Sequence, residues 1–237
     1  MTYQSVIDWL AYSPPPMANP SPYPPATPPR WERRKESRPA ELLEAALDCF
    51  VERGFAATRL DDVASRAGVS KGTLYLYYEG KDDLFKAVIR SNALPLIEAF
   101  RQDIERSTLA SAELLGRFFH DWWHQVGETR LAGIAKLIVG EAGNFPDITR
   151  FFLEEVTLPT WQLLGSILNR GIASGEFREV DVEAATVLWM SPLILKAIWM
   201  RSIAPSCAEI EVVPTERFLR THTELVLAAL RPAGRAR

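Results

Sequence analysis

Two cysteines in 237 residues, Cys49 and Cys207, are too few and too far apart in sequence for a disulfide framework. Cys49 falls among apolar residues at helical spacing and reads as a buried thiol. The chain also lacks a positive excess, with a formal net charge of -3, so a surface for nucleic acid has to be a local patch on a near-neutral body. No run of 18 apolar residues occurs, and no membrane span is expected. The opening MTYQSVIDWLAY has no basic leader and contains Asp8, so no signal peptide is expected and the cytoplasm is the expected location. There is no nucleophile elbow, phosphate loop, metal-ligand spacing or paired carboxylate motif. An enzyme on this chain would have to assemble a site from scattered residues, and no cofactor or metal is expected.

Hydrophobic residues make up 47% and charged residues 24%, an ordinary globular balance. Proline dominates 13–29, SPPPMANPSPYPPATPP, which cannot donate regular backbone hydrogen bonds and reads as polyproline or disordered chain. A short helix around Val6, Trp9 and Leu10 is conceivable before it. A basic run follows at Arg30, Arg33, Arg34, Lys35 and Arg38; it is either a solvated charge run or a phosphate-contacting arm. The expected division is a disordered extension over 1–36, a small domain over 37–86, read below as DNA-binding from its residues, and a larger helical domain over 87–231.

From Ser37 the pattern is helical. Ser37 is a cap, Pro39 lies in the first turn, Leu43, Leu47 and Phe50 recur at helical spacing, and Gly54 stops the run. A second helix is expected from Thr58, with Thr58 and Asp61 as a capping box and Leu60, Val63, Ala64 and Ala67 as its apolar stripe. Gly68 turns the chain, Val69 plugs the core and Ser70 caps a third helix. In that helix Leu74 and Tyr78 face inward. Thr73 and Tyr77 face outward, with Lys71 at the exposed start and Tyr75 beside them. Hydroxyls, a lysine and phenol rings suit phosphates and base edges. Lys81 can reach another phosphate. The layout is a helix-turn-helix, whose second helix enters the major groove.

The stretch TRLDDVASRAGVSKGTLYLYYEGKDDL, Thr58 to Leu84, closely resembles the TetR family of one-component transcriptional regulators. Tyr78 stands where that family usually has phenylalanine, and Gly80 where serine is common. The resemblance implies an all-α fold of about nine helices: a three-helix DNA-binding domain followed by a helical domain that binds a ligand and dimerises. It implies phosphate contacts from Thr58 and Lys81. Lys71, Thr73, Tyr75 and Tyr77 would sit at the groove beside the capping Ser70, and Leu76 would reach a base methyl. It further implies a homodimer through the last two helices, a double-stranded palindromic operator, and a repressor released by a small molecule.

Beyond Phe85 the chain reads as helix throughout: 81–106, 110–127, 129–142, 146–174, 181–202 and 214–231. Pro95, Pro159 and Pro192 should kink or break three of these. The phrase EAGNFPDITRFF, from Glu141, looks like a turn that recurs in some of these regulators. Aromatic residues are abundant, and Phe119, Trp122, Trp123, Phe152, Trp161 and Trp189 are the candidate walls of a pocket for a hydrophobic or aromatic ligand. His120, His124 and Gln125 could add polar contacts. His120 and His124 share a helix face, but no acidic or thiol cluster joins them to make a metal site. Val187, Leu188, Leu195, Ile198, Phe218, Leu225 and Leu230 supply either core or dimer interface.

Overall fold

Leu42, Ala46, Cys49 and Phe50 recur at spacings of three and four, and all are buried, which gives α1 (Arg30–Ala57) one committed face up to Gly54, where φ +83° kinks the helix at the residue expected to stop it. A computed structural model describes residues 30–207 and 213–232, with side chains from Pro39 onward. α2 (Leu60–Arg66) and α3 (Lys71–Tyr75) follow, then the long α4 (Lys81–Arg106). α5 (Ser111–Trp122) runs on into a π-turn (Trp123–Gly127), and α6 (Ala132–Glu141) follows it. α7 (Pro146–Phe152) passes through a second π-turn (Leu153–Thr157) into α8 (Leu158–Ala173). α9 (Val182–Ser202) and α10 (Thr215–Leu230) complete the set. Since α7 and α8 form one rod, the ten helices make nine rods, in the expected order and with no strand among the described residues.

Several expectations need correction. α1 begins at Arg30, so Ser37 lies inside it and 30–36 is helical rather than disordered. The remainder of the expected extension, with its proline tract and short helix, lies outside the described residues, as do the side chains of the basic run. Arg59, not Thr58, is the N-cap of α2, and no side chain caps that end. α4 and α9 continue through Pro95 and Pro192 without ending. At Pro159 the missing N–H coincides with the π-turn just before it, so the disturbance is absorbed by widening a turn rather than by ending the rod. Finally, Val182–Ser206 is long and apolar enough to cross a membrane, with mean hydropathy 1.3, where none was expected. The reason is that α9 is apolar on two faces: Met190, Leu193 and Ala197 are buried, while Leu188 and Leu195 are exposed.

Two apolar cores form. One gathers α1–α3, the first half of α4, and α6 and α7; the other gathers the second half of α4 with α5, α8, α9 and α10. α4 belongs to both, through Leu84, Phe85, Val88 and Ile89 at one end and Ile97, Phe100 and Ile104 at the other. Ile134, Leu137, Ile148 and Phe151 enter the first core from well beyond residue 86, and the described residues from Arg38 onward pack as one unit.

Candidate nucleic-acid interface and apolar cavity

Gly68 has φ +66°, a conformation that costs glycine little, and it turns the chain between α2 and α3. Ser70 then caps α3: its Oγ accepts from the backbone N–H of Thr73 at 3.1 Å and lies 2.9 Å from Thr73 Oγ1. Leu74 and Tyr78 anchor this segment in the core with Val63 and Ala64. Burial, then the charge of Asp83, pushes the Tyr78 phenol up. Lys71, Tyr75, Leu76 and Tyr77 are left on the outside, Leu76 at 83% exposure. Thr73 is half-buried among them. Lys71 Nζ pairs with Asp61 at 2.8 Å, which raises its pKa through hydrogen bond and charge. Such an exposed pair is weak and open to competition from phosphate.

Thr58 and Lys81 face inward. Thr58 is 2% exposed, and its hydroxyl donates within reach of the carbonyls of Gly54 (2.7 Å) and Cys49 (3.1 Å). Lys81 Nζ donates to the carbonyls of Phe55 (2.8 Å) and Ala56 (3.1 Å) and sits over the Phe55 ring. Both side chains finish the C-terminal end of α1, where carbonyls lack helical partners. Arg59 is the cation that the sequence reading missed. It is exposed at the start of α2 and has no ion pair among the described residues, whereas Arg53 pairs with Asp62 and Arg66 with Glu52. The signal was its place between the inward Thr58 and the inward-leaning Leu60.

A cavity of about 110 Å³ lies in the other half. α4 lines it with Ile89, Asn92 and Phe100, α5 with Trp122, α6 with Ile134 and Ala135, the α7–α8 rod with Phe152, Val156 and Trp161, and α9 with Met190 and Ile194. Its lining is mostly apolar, and two of its polar groups are occupied: Asn92 Nδ2 donates to the Val88 carbonyl at 2.9 Å, and Thr160 Oγ1 to that of Val156 at 2.7 Å. The space therefore selects by apolar contact and shape.

Of the six candidate ligand residues, Trp122, Phe152 and Trp161 line this cavity; Phe119, Trp123 and Trp189 do not. Phe119 packs edge-on against His222, with ring centroids 4.8 Å apart, and Trp123 packs against Phe218, so both fill the seam with α10. The Trp189 carbonyl accepts from His222 Nε2 at 2.9 Å. Burial holds the His222 imidazole below the usual range, against the opposing effect of that bond. His120 and His124 lie at the surface beside Asp121 and Glu128, away from the cavity. Asn92, Thr160 and Met190 were missed, because nothing in an amphipathic run tells which buried positions will border a gap.

Segments that line or flank the cavity also contact α1. α6 lines the cavity with Ile134 and Ala135, and its last residue, Glu141, accepts from the Ala56 N–H at 3.0 Å. Just before α6, Arg130 pairs with Asp48 of α1 at 2.8 Å and with Glu44. Phe145 stacks edge-on against Phe55 at 4.7 Å. Arg90 of α4 holds Glu155 of the second π-turn at 2.8 Å, which raises the pKa of the arginine and lowers that of the carboxyl.

Residues 42–88 match the family described as "Bacterial regulatory proteins, tetR family", and 114–230 the "AefR-like transcriptional repressor, C-terminal domain". The "Uncharacterized HTH-type transcriptional regulator YfiR" of Bacillus subtilis (strain 168) is 35% identical over 151 residues, 63% of this chain and 73% of that protein. The "Fatty acid metabolism regulator protein" of the same organism is 28% identical over 154 residues, 64% of this chain and 78% of that protein. Among solved structures, the transcriptional regulator FadR from Bacillus subtilis in complex with stearoyl-CoA superposes with a TM-score of 0.64 at 21% identity, over 81% of this chain and 99% of that one.

Proposed function

The chain belongs to the TetR family of transcriptional regulators and is a DNA-binding regulator; on that premise we propose how its residues divide the work. Lys71, Thr73, Tyr75, Leu76 and Tyr77 meet the major groove, with Ser70 fixing the start of α3 and Arg59 on a flanking phosphate. Thr58 and Lys81 hold the end of α1 and act on DNA only by placing α2 and α3. The observation that carries this reading is the split within α3 and its following turn. Leu74 and Tyr78 are buried, while Tyr75, Leu76 and Tyr77 between them are exposed with no core role.

The protein acts in the cytoplasm as a homodimer, joined through the exposed apolar stripe of α9, where Leu188 and Leu195 are 67% and 64% exposed, and through Leu225 of α10. Two-fold symmetry then presents two α3 segments to a palindromic operator. The effector is a molecule with an apolar chain, of the fatty-acyl kind. The apolar lining of the cavity and the likeness to a fatty acid metabolism regulator support this. At about 110 Å³ the cavity is tight. Ligand pockets usually span about 300–1,000 Å³. An acyl chain therefore has to spread the walls, which include α4 and α6. Those helices also hold α1, so filling the cavity and reorienting the DNA-binding unit are one movement. Ligand favours the spread state, DNA the closed one, and the regulator is released as a repressor.

Fluorescence anisotropy with duplex DNA from the protein's own promoter tests both parts. Binding at low salt is expected, with loss of affinity on adding a long-chain acyl-CoA. Thr73→Ala combined with Tyr77→Ala should abolish binding in a protein that stays folded. No binding to that DNA at low salt would remove the operator assignment, and unchanged affinity with acyl-CoA would remove the effector class.

A further inference from the structure

Arg201, near the C-terminal end of α9, is half-buried. Its Nη2 donates to the Glu128 carbonyl at 2.8 Å, but its Nε is buried and has no partner among the described residues. It makes no ion pair among the described residues. The helix end beside it offsets part of its charge but does not occupy Nε. A half-buried guanidinium without a counter-ion is costly, and an unfilled buried donor asks for a physical reason. Arg201 lines a cleft of about 390 Å³ together with Lys136, Glu128, Gly127, Gly133 and Val51. Lys136 is exposed there and also lacks an ion pair among the described residues. Among the described residues of the lining the one carboxylate is Glu128, and it is engaged by His124 Nδ1. Burial holds the Arg201 guanidinium below its usual range, the direction expected of a desolvated cation with no anion facing it.

We propose that this cleft is an oxyanion site, in which a carboxylate or phosphate group sits between Arg201 and Lys136. Its position gives it a role. Val51 belongs to α1, Gly133 and Lys136 to α6, and Arg201 to α9, so a bound anion ties α1, which supports the DNA-binding unit, to the regulatory half. The site stays open in a dimer built on the α9 stripe. Trp199, 37% exposed, continues that stripe four residues past Leu195, and Arg201, two residues further, projects roughly 200° around the helix from it. The anion is either a free small ion or the head of an amphipathic ligand.

Thermal unfolding and calorimetry on the full chain, in low-chloride buffer, separate these sources with three probes: inorganic phosphate, dodecanoate and uncharged dodecanol. Phosphate raising the unfolding midpoint by itself supports a free anion. Dodecanoate binding roughly tenfold tighter than dodecanol, with no phosphate effect, supports an anionic head. In either case Lys136→Gln, an exposed change that leaves folding intact, removes the advantage, and Arg201→Gln does the same. The proposal falls if neither anion shows an advantage that depends on Lys136 and Arg201; dodecanol binding in that case leaves the apolar-cavity reading standing. It falls equally if phosphate binds only after Glu209→Gln with Glu211→Gln, because the chain's own acids would then be the native counter-ions.

Discussion

Lys71 and Lys81 are ten positions apart and chemically alike, yet their ammonium groups have different neighbours. Lys71 reaches an exposed carboxylate, whereas Lys81 reaches two main-chain carbonyls at the end of α1. Lys71→Ala and Arg59→Ala should each reduce the slope of log affinity against log salt by about one, with no change in unfolding midpoint. Lys81→Ala should instead cost about 1–2 kcal/mol of stability and leave the slope alone. A changed slope at unchanged stability would return Lys81 to the DNA surface. His222 makes a second residue-scale prediction. Its folded pKa lies below the ordinary imidazole value, so the unfolded chain takes up more protons as pH falls through about 6.5. Stability is therefore full above that pH and declines below it. Unfolding midpoints measured between pH 7.5 and 5.5 should drop, and His222→Gln should flatten the drop; an equal drop in that variant would place its origin elsewhere.

At the scale of elements, α1 and α6 come close enough that glycine is required. A Cβ on Gly133 would stand 2.5 Å from Val51 Cγ1. Gly133→Ala should cost about 1–3 kcal/mol by overpacking. It should also blunt the ligand's effect on DNA binding, since it wedges open the joint through which both act. Adding Val51→Ala restores space, and the double variant should recover most of the loss in a double-mutant cycle. Additive losses would show that the two helices do not press on each other there. The helices themselves were legible from periodicity and turn residues, which act locally. Pro95 and Pro192 sit inside α4 and α9 without ending them, because packing on both sides of each helix outweighs one missing hydrogen bond apiece. The motif from Glu141 to Phe152 was legible only as a turn. Its end-to-end contacts with Ala56 and Phe55 join segments some 85 residues apart, which no local pattern encodes.

At the scale of the whole molecule, the exposed face of α9 needs a cover. Leu188, Leu195 and Trp199 recur at spacings of seven and four, the stripe of a helix that packs on another. Leu188→Glu with Leu195→Glu should yield a folded monomer by sedimentation, with operator affinity falling sharply because only one α3 binds at a time. A dimer that survives both charges would move the interface elsewhere. The same face gives α9 the length and hydropathy of a membrane span; in the proposed dimer it would be buried on one side by its own core and on the other by a second copy, which leaves few places for charge.

Residues 58–84 carry their own meaning because a helix-turn-helix is built from neighbours in sequence. Its cap, its left-handed glycine and its outward rings could be named before any coordinates. Direction could not be read so well. Thr58 and Lys81 look like surface groups until the end of α1 folds back and offers them carbonyls. The same holds for the aromatic residues. Whether a tryptophan borders a gap or fills a seam depends on how six helices meet, and Trp122 and Trp123, adjacent in the chain, end on opposite sides of that distinction.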